Sequence, residues 1–292
     1  MIDYLIGVDG GGTGTRVRVA SFEGTELAQA SGGPSALSRG IDNAWITIGA
    51  AVGQAFAAIG IPATPLGSCA IGLGLAGVHN KQWAAQFVAA DPGYALLTLD
   101  TDGFTTLMGA HGGRPGAIVA IGTGSVGEAL LDDGSKVEVG GWGFPAGDEA
   151  SGAWMGLRAL NHIEQVLDGR VAGRAFAHEV IAFCGGSRDA VQVWLGQANP
   201  AAYASLARFV LAHGDTDPVA RAILEHAGRE VASIAAALDR SGALPLALCG
   251  GLGEALRAWL PPQTLARCVP AQGDSAAGAL RMIRTTLEGA VQ

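Results

Sequence analysis

Two segments constrain this chain more than any others: Ile6-Gly7-Val8-Asp9-Gly10-Gly11-Gly12-Thr13-Gly14-Thr15 and Ile118-Val119-Ala120-Ile121-Gly122-Thr123-Gly124-Ser125. Each is a strand-forming run that breaks into a turn of glycines and hydroxyls. Apolar alternation then resumes, through Val17 and Val19 in the first and Val126, Ala129 and Leu130 in the second. A turn without Cβ atoms lets backbone N–H groups approach an anion closely, and Thr and Ser hydroxyls add donors. The pattern is that of a phosphate cradle, present twice.

Two other glycine-loop readings fail on the residues next to the glycines. Gly122-Thr123-Gly124-Ser125-Val126-Gly127 matches the dinucleotide fingerprint formally, but that motif opens a helix and is followed by an acidic residue about 20 positions on. Here the sequel, Glu128-Ala129-Leu130-Leu131-Asp132-Asp133-Gly134-Ser135, is a short strand closing on an Asp-Gly turn, which is hairpin chemistry. A Walker loop needs a lysine after its last glycine, and neither lysine of the chain, Lys81 or Lys136, follows a glycine. Bound phosphates are therefore expected to be held by backbone, hydroxyls and a metal.

With 292 residues, 49% hydrophobic and 15% charged, the chain can bury a large core and form two domains. A net charge of −8 and arginines scattered without a stripe exclude a nucleic-acid surface, leaving a small diffusible ligand as the expected partner. No apolar run reaches the roughly 18 residues of a membrane span, and the first residues enter a strand rather than a signal peptide, so a cytoplasmic location is expected. Cys69, Cys184, Cys249 and Cys268 are far apart and read as small buried hydrophobes. The six histidines form no zinc motif, and no structural zinc is expected.

Periodicity predicts strands near 4–9, 16–22, 68–75, 94–99, 117–121, 126–131 and 244–249, and helices near 42–59, 81–89, 149–167, 172–184, 200–213 and 217–239. Asp217-Pro218 opens the longest helix, an N-cap acceptor followed by proline at the first helical position. The alternation indicates an α/β fold, with a boundary in the glycine-rich stretch 109–116.

Two similar halves, each opening with a hairpin loop, resemble the actin-like ATPase and sugar-kinase superfamily. Its fold is a pair of related ribonuclease-H-like α/β domains around a nucleotide cleft. Asp9-Gly10-Gly11-Gly12-Thr13 resembles the first phosphate motif of that superfamily, Gly122-Thr123-Gly124-Ser125 the second, and Leu248-Cys249-Gly250-Gly251-Leu252 the adenosine motif. Gly140-Gly141-Trp142-Gly143, then Gly147-Asp148-Glu149-Ala150-Ser151-Gly152-Ala153-Trp154, and Thr101-Asp102 at a strand end, resemble the N-acetylglucosamine kinase branch of the BadF/BadG/BcrA/BcrD-type ATPases. The resemblance implies an N-terminal domain over 1–113, completed by a helix over 275–292, and a C-terminal domain over 114–274. It also implies a homodimer, ATP and Mg2+ as cofactors, and transfer of the γ-phosphoryl group to the 6-hydroxyl of N-acetylglucosamine or glucosamine.

Phosphoryl transfer is mostly positioning and charge neutralisation. On the family match, Asp102 accepts the proton of the attacking hydroxyl, with Asp100 as its neighbour and competitor. By its sequence alone, Asp100-Thr101-Asp102-Gly103 also reads as a turn. Asp9 is the candidate Mg2+ ligand, directly or through water, and also suits an Asx turn holding the loop. The hydroxyls of Thr13, Thr15, Thr123 and Ser125 are expected at the β and γ phosphates, or as caps of their own turns. Gly10, Gly11, Gly12, Gly122 and Gly124 supply the close backbone, and Gly250, Gly251 and Leu252 the adenosine side. For the sugar, Gly141 and Trp142 offer donors and an apolar wall, Asp148 an acceptor, and Ala76 and Gly77 a flanking loop with His79 and Asn80. Trp154 is expected in the core and Glu149 at the start of the helix it precedes.

The branch carries an asparagine in the sugar loop after the second hairpin. The corresponding stretch here, Gly33 to Gly40, puts Ser35 or Ala36 there, and Val139 replaces a cysteine before Gly-Gly-Trp-Gly. Glucosamine thus competes with its acetylated form as substrate. Two other classes are an ATP-binding sugar sensor without turnover and an activator ATPase of a 2-hydroxyacyl-CoA dehydratase. The latter needs closely placed cluster cysteines.

Overall fold

The computed structural model describes residues 1–290. Its elements in chain order are β1 (Tyr4–Gly10), β2 (Thr15–Ser21), β3 (Glu26–Gly32), α1 (Ile41–Ala58), β4 (Cys69–Leu75), α2 (Lys81–Ala89), β5 (Leu96–Asp100) and α3 (Asp102–His111). The second half contains β6 (Gly116–Ile121), β7 (Ser125–Leu130), β8 (Lys136–Gly140), α4 (Gly152–Leu167), α5 (Ala175–Phe183), α6 (Arg188–Gln197), α7 (Pro200–Ala204), α8 (Ala207–His213) and α9 (Pro218–Leu238). The chain closes with β9 (Leu246–Cys249), the single-turn helices α10 (Gly253–Leu256) and α11 (Pro262–Leu265), and α12 (Ser275–Ala290).

Two compact units result, one made of Met1–Pro115 with the chain from Pro270 onward, the other of Gly116–Val269. In the first, the strand order is β3-β2-β1-β4-β5; β1 runs antiparallel to β2 and parallel to β4, which is parallel to β5. In the second, β8-β7-β6-β9 repeats the same plan without the fifth strand: β6 is antiparallel to β7 and parallel to β9. Each unit is therefore a ribonuclease-H-like sheet whose first two strands form a hairpin around one of the two glycine loops, and the fold is α/β.

In the first unit every residue of β4 is buried, as a parallel strand covered on both faces must be. One face packs Ile6, Val8, Val19, Ile71 and Leu73 against Ile48, Val52 and Phe56 of α1. The other face takes α12 at unusually short range. Gly7 and Gly72 pair across β1 and β4, and a Cβ on either would run into a main-chain carbonyl of α12, at Ala276 and Ala279 respectively. Glycine at these positions serves helix-to-sheet approach. In the second unit, Val119 and Ile121 join Met155, Leu160 and Ile163 of α4 and Ile223, Ala227 and Val231 of α9 in one core.

Several local expectations needed correction. The helix expected over 200–213 is two, α7 and α8: the Ser205 hydroxyl donates to the Ala202 carbonyl at 2.7 Å, offering the backbone an alternative to continuing the helix. Here the Tyr203 carbonyl lies so close to Gly156 of α4 that no side chain fits. The helix expected from 149 starts at Gly152, because Ser151 is the N-cap and its hydroxyl accepts from Trp154 N–H at 3.1 Å. Strands β3 and β8 and helix α6 are additions to the elements expected from the sequence. Among the described residues, no helix is long and apolar enough to cross a membrane.

Candidate functional site

In the first unit the sheet register builds the site. Asp9 pairs with Gly74 across β1 and β4, and Gly74 with Asp100 across β4 and β5, so three strand ends finish at one level. The carboxyl ends of parallel strands are where α/β folds place ligands. Two residues beyond Asp100, Asp102 opens α3. The sequence Asp100-Thr101-Asp102-Gly103 is thus a helix start, a correction to its reading as a turn: the Thr101 hydroxyl accepts from Phe104 N–H at 2.9 Å as the N-cap.

Asp102 Oδ1 accepts from Gly103 N–H at 3.1 Å. Burial, and then the charge of Asp9, push its carboxyl above the usual range, with His79 pulling weakly the other way. Asp9 is itself paired with Arg16, whose Nε and guanidinium nitrogen reach Asp9 Oδ2 at 3.0 and 2.6 Å. Both contacts fall on one oxygen. The Asp9 carboxylate is 15% exposed and the Arg16 side chain 60%, so the arginine covers the acid from the solvent side.

The glycine loop between β1 and β2 is stitched to two further loops. Gly11 N–H donates to Gly14 O at 2.9 Å, while Gly11 O accepts from Ser35 and Ala36 N–H at 3.1 and 3.2 Å. Ala76 N–H donates to Gly10 O, and Leu37 N–H to Ala76 O, each at 2.9 Å. Gly77 takes a left-handed φ of 99° at the turn that leads to His79 and to Asn80, the N-cap of α2. Asp9, Gly10 to Gly14, Ser35, Ala36, Ala76, Gly77, His79 and Asp102 are thereby gathered at one end of this sheet.

Side-chain placement overturns part of the expectation. The Thr15 hydroxyl is buried and lies 2.7 Å from both the Gly33 carbonyl and Ser35 Oγ, so it braces the loop instead of meeting phosphate. Ser35 and Ala36 are buried as well, and the seat assigned to them as sugar contacts is a second brace beneath Gly10 and Gly11. Thr13, at the loop tip, is exposed, as are Ser38 and Arg39.

The second unit repeats the arrangement. Gly122 N–H donates to Gly124 O at 2.9 Å, and the first N–H groups of α4, from Gly152 and Ala153, bond Gly122 O and Thr123 O at 2.8 and 3.2 Å. The helix end is therefore satisfied by the loop carbonyls. Among the described residues no backbone acceptor takes the N–H groups of Gly12, Thr13, Thr123 or Gly124. Ser125, expected at phosphate, is buried with its hydroxyl donating to Glu149 O at 2.6 Å, a correction parallel to that for Thr15; Thr123 is exposed. Gly250, with φ 78°, lies against the Ile121 carbonyl, which also accepts from Leu252 N–H at 3.0 Å; Gly250, Gly251 and Leu252 thus border this loop.

Asp148 and Ala150 are the chain's two non-glycine residues with left-handed φ, 60° and 66°, among those described. Such backbone persists where surrounding structure over-determines it and clusters at functional sites. The Asp148 carboxylate lies so close over Gly124 that a Cβ there would be 2.7 Å from its oxygen. Gly140, Gly141 and Gly143 all have left-handed φ and flank Trp142, 85% exposed, while Phe144 anchors the loop on Tyr203 with ring centroids 4.8 Å apart. Trp154 is buried under the Arg158 guanidinium, 3.1 Å from the ring centroid. Glu149 precedes the Ser151 cap and contributes its carbonyl to Ser125 rather than its charge to a first turn.

The strongest addition from the structure is the ring of contacts behind Asp102, made by Thr105 and Ser275, whose only sequence signal was threonine at helical spacing from the acid. Cys69, Cys184 and Cys249 are buried, which raises their thiols to about 12, 11 and 11. No group of three or more His, Cys, Asp and Glu side chains among the described residues forms a metal cluster. Asp9 offers hard carboxylate oxygen beside the first loop, a donor set that suits Mg2+, which takes one or two carboxylates and completes its shell with water and phosphate.

The chain is similar to several known proteins. It is 32% identical to the glucosamine kinase GspK of Vibrio cholerae over 281 residues, covering 96% of this chain and 95% of that protein. It is 25% identical to an N-acetylmuramic acid/N-acetylglucosamine kinase of Clostridium acetobutylicum, over 78% of this chain and 76% of the relative. A solved structure from Chromobacterium violaceum, described as a candidate N-acetylglucosamine kinase, is 55% identical, matches with a TM-score of 0.93 and covers 97% of this chain and 99% of its own. The model of the BadF/BadG/BcrA/BcrD ATPase family matches residues 6–280, and the chain belongs to that family.

Proposed function

We propose that the protein is an ATP-dependent amino-sugar kinase that transfers the γ-phosphoryl group of ATP to the 6-hydroxyl of glucosamine or N-acetylglucosamine. The observation that carries this reading is Asp102: a half-buried carboxylate with a raised pKa, at the carboxyl ends of parallel strands and beside the first glycine loop. The amino-sugar kinases among its relatives support the substrate class.

Asp102 accepts the proton of the sugar hydroxyl as it attacks, and its raised pKa brings the acceptor nearer neutrality, where proton transfer is more effective. Asp102 must be ionised to act. The N–H groups of Gly12, Thr13, Thr123 and Gly124 and the hydroxyls of Thr13 and Thr123 bind phosphate oxygens. Asp9 would hold Mg2+, which would supply neutralisation of the phosphate charge. Asp148, Gly141, Trp142 and Gly77 bind the sugar, and Gly250 to Leu252 the adenosine.

The test is ADP release with MgATP across glucosamine, N-acetylglucosamine, N-acetylmannosamine, glucose and mannose, with a no-sugar control and mass detection of product. Strong stimulation by one amino sugar, with a mass gain of one phosphoryl group, is expected. ATP binding without phosphorylated product from any sugar rejects the kinase and leaves the sensor.

A further inference from the structure

Asp102 is held from behind more heavily than a helix start requires. Its main-chain carbonyl accepts from the Thr106 hydroxyl at 2.7 Å and lies 3.2 Å from the Thr105 hydroxyl, which is also 3.2 Å from the Thr101 carbonyl. Thr105 Oγ is 2.8 Å from the hydroxyl of Ser275, the first residue of α12. A threonine hydroxyl has one proton. Since Thr105 spends it on the carbonyls of Thr101 and Asp102, Ser275 donates to Thr105, and the chain runs from Ser275 to Thr105 to the backbone of the base.

Nothing around this chain has slack. Thr105 is fully buried, and a Cβ on Gly74 of β4 would collide with its hydroxyl. Gly278 of α12 faces the Thr105 carbonyl and Gly109 of α3 the Asp274 carbonyl, each at a distance that excludes a side chain. The start of α12 is itself pinned. Asp274 caps it by accepting from Ala277 N–H at 2.9 Å, and Arg18 grips both Asp274 oxygens at 3.1 and 2.9 Å. Arg18 lies on β2, the strand leaving the first glycine loop.

We infer that Thr105 and Ser275 are positioning residues for Asp102: their buried hydroxyl pair fixes the first turn of α3 and with it the direction of the carboxylate that takes the sugar proton. The inference rests on the kinase reading above. Sub-ångström misplacement of a reacting group is enough to lower turnover severalfold or more.

The experiment is steady-state kinetics with MgATP and the preferred amino sugar on wild type, Thr105→Val, Thr105→Ser, Ser275→Ala and Asp102→Asn, with a pH profile and a thermal melt for each. Thr105→Val keeps the shape and removes the hydroxyl; kcat is expected to fall about tenfold with both KM values within about twofold, and the acid limb of its pH profile to move. Thr105→Ser is expected to recover wild-type turnover to within about twofold, and Ser275→Ala to lose about threefold. A Thr105→Val protein that melts at a lower temperature but keeps wild-type kcat and pH profile, while Asp102→Asn is inactive, overturns the inference and leaves the hydroxyls a purely structural role. Should Thr105→Val fail to fold, Ser275→Ala decides by the same criteria. A wild type that phosphorylates no amino sugar overturns the kinase reading, and this inference with it.

Discussion

Replacing Asp102 by asparagine is predicted to lower turnover steeply while leaving the protein as stable as before or more so. Asparagine keeps Oδ1, so the 3.1 Å bond from Gly103 N–H survives, and the Thr101 cap on Phe104 is independent of the side chain. What is lost is the ability to take a proton, which for a positioned base contributes about 10² to 10⁴ in rate, or roughly 3 to 5 kcal/mol of barrier. The stability sign comes from the pKa. Burial first, and the Asp9 charge second, raise the folded-state value of Asp102, so the native protein binds that proton more tightly than the unfolded chain does. Stability from this group is therefore greatest in acid and declines as pH rises from the ordinary carboxylate value through the raised one. Where the acid is ionised its charge is a net cost to the native state, and asparagine removes it. The assay pairs coupled ADP release with a thermal melt at neutral and mildly acidic pH. Turnover within tenfold of wild type refutes the base assignment; a melting temperature lowered at neutral pH refutes the electrostatic argument.

Three further outcomes are expected. The acid limb of kcat/KM lies above the usual carboxylate range near 4, because Asp102 must lose its proton to act; a limb at the ordinary value contradicts this. Gly72→Ala drives a Cβ into the Ala279 carbonyl of α12, which as helix backbone cannot turn aside, and is expected to cost about 1 to 3 kcal/mol by urea denaturation; an unchanged midpoint counts against the close-approach reading. Burial pushes Asp239 up, but the Ser241 hydroxyl, the Leu244 and Ser241 N–H groups and Arg267 outweigh it and hold the carboxyl below its usual value. That contribution to stability is present above about pH 4 and is lost as pH falls further, so Asp239→Ala, which leaves Arg267 without its acid, should flatten the acid side of the stability profile as read by urea midpoints.

The parts of the fold legible in the sequence share one property: their signal is local. The strands β1, β4 and β6 are apolar runs that end on or within two residues of a glycine, β2 and β7 alternate apolar residues after the two loops, and the Asp217-Pro218 start of α9 carries its own cap. In the edge strands β3 and β8 no residue is fully buried, and the apolar alternation they carry is weak, Ala28 and Ala30 in β3 and Val137 and Val139 within the five residues of β8. Helix α6 buries only Val191. The same limit governs the site. Glycines at the loops could be read because a cradle needs them by chemistry, whereas a hydroxyl in the same loop can face either way. Thr13 and Thr123 sit in the loops outside the strands and are exposed, whereas Thr15 and Ser125 open β2 and β7, where the surrounding segments bury them and bond their hydroxyls to the Gly33 and Glu149 carbonyls.

The sequence by itself determined two hairpin loops of one design, the α/β alternation around them, and an acid just beyond the strand that precedes the domain boundary; these are properties of neighbouring residues. Tertiary structure alone decided that Asp9 and Asp102 approach each other, since only the register from β1 through β4 to β5 brings their strand ends level. It alone decided that Ser35 and Ala36 brace a loop, and that Ser275 stands behind an acid 173 positions earlier in the chain. Burial and hydrogen-bond partners of this kind are set by segments far apart in sequence, and no local pattern encodes their distance.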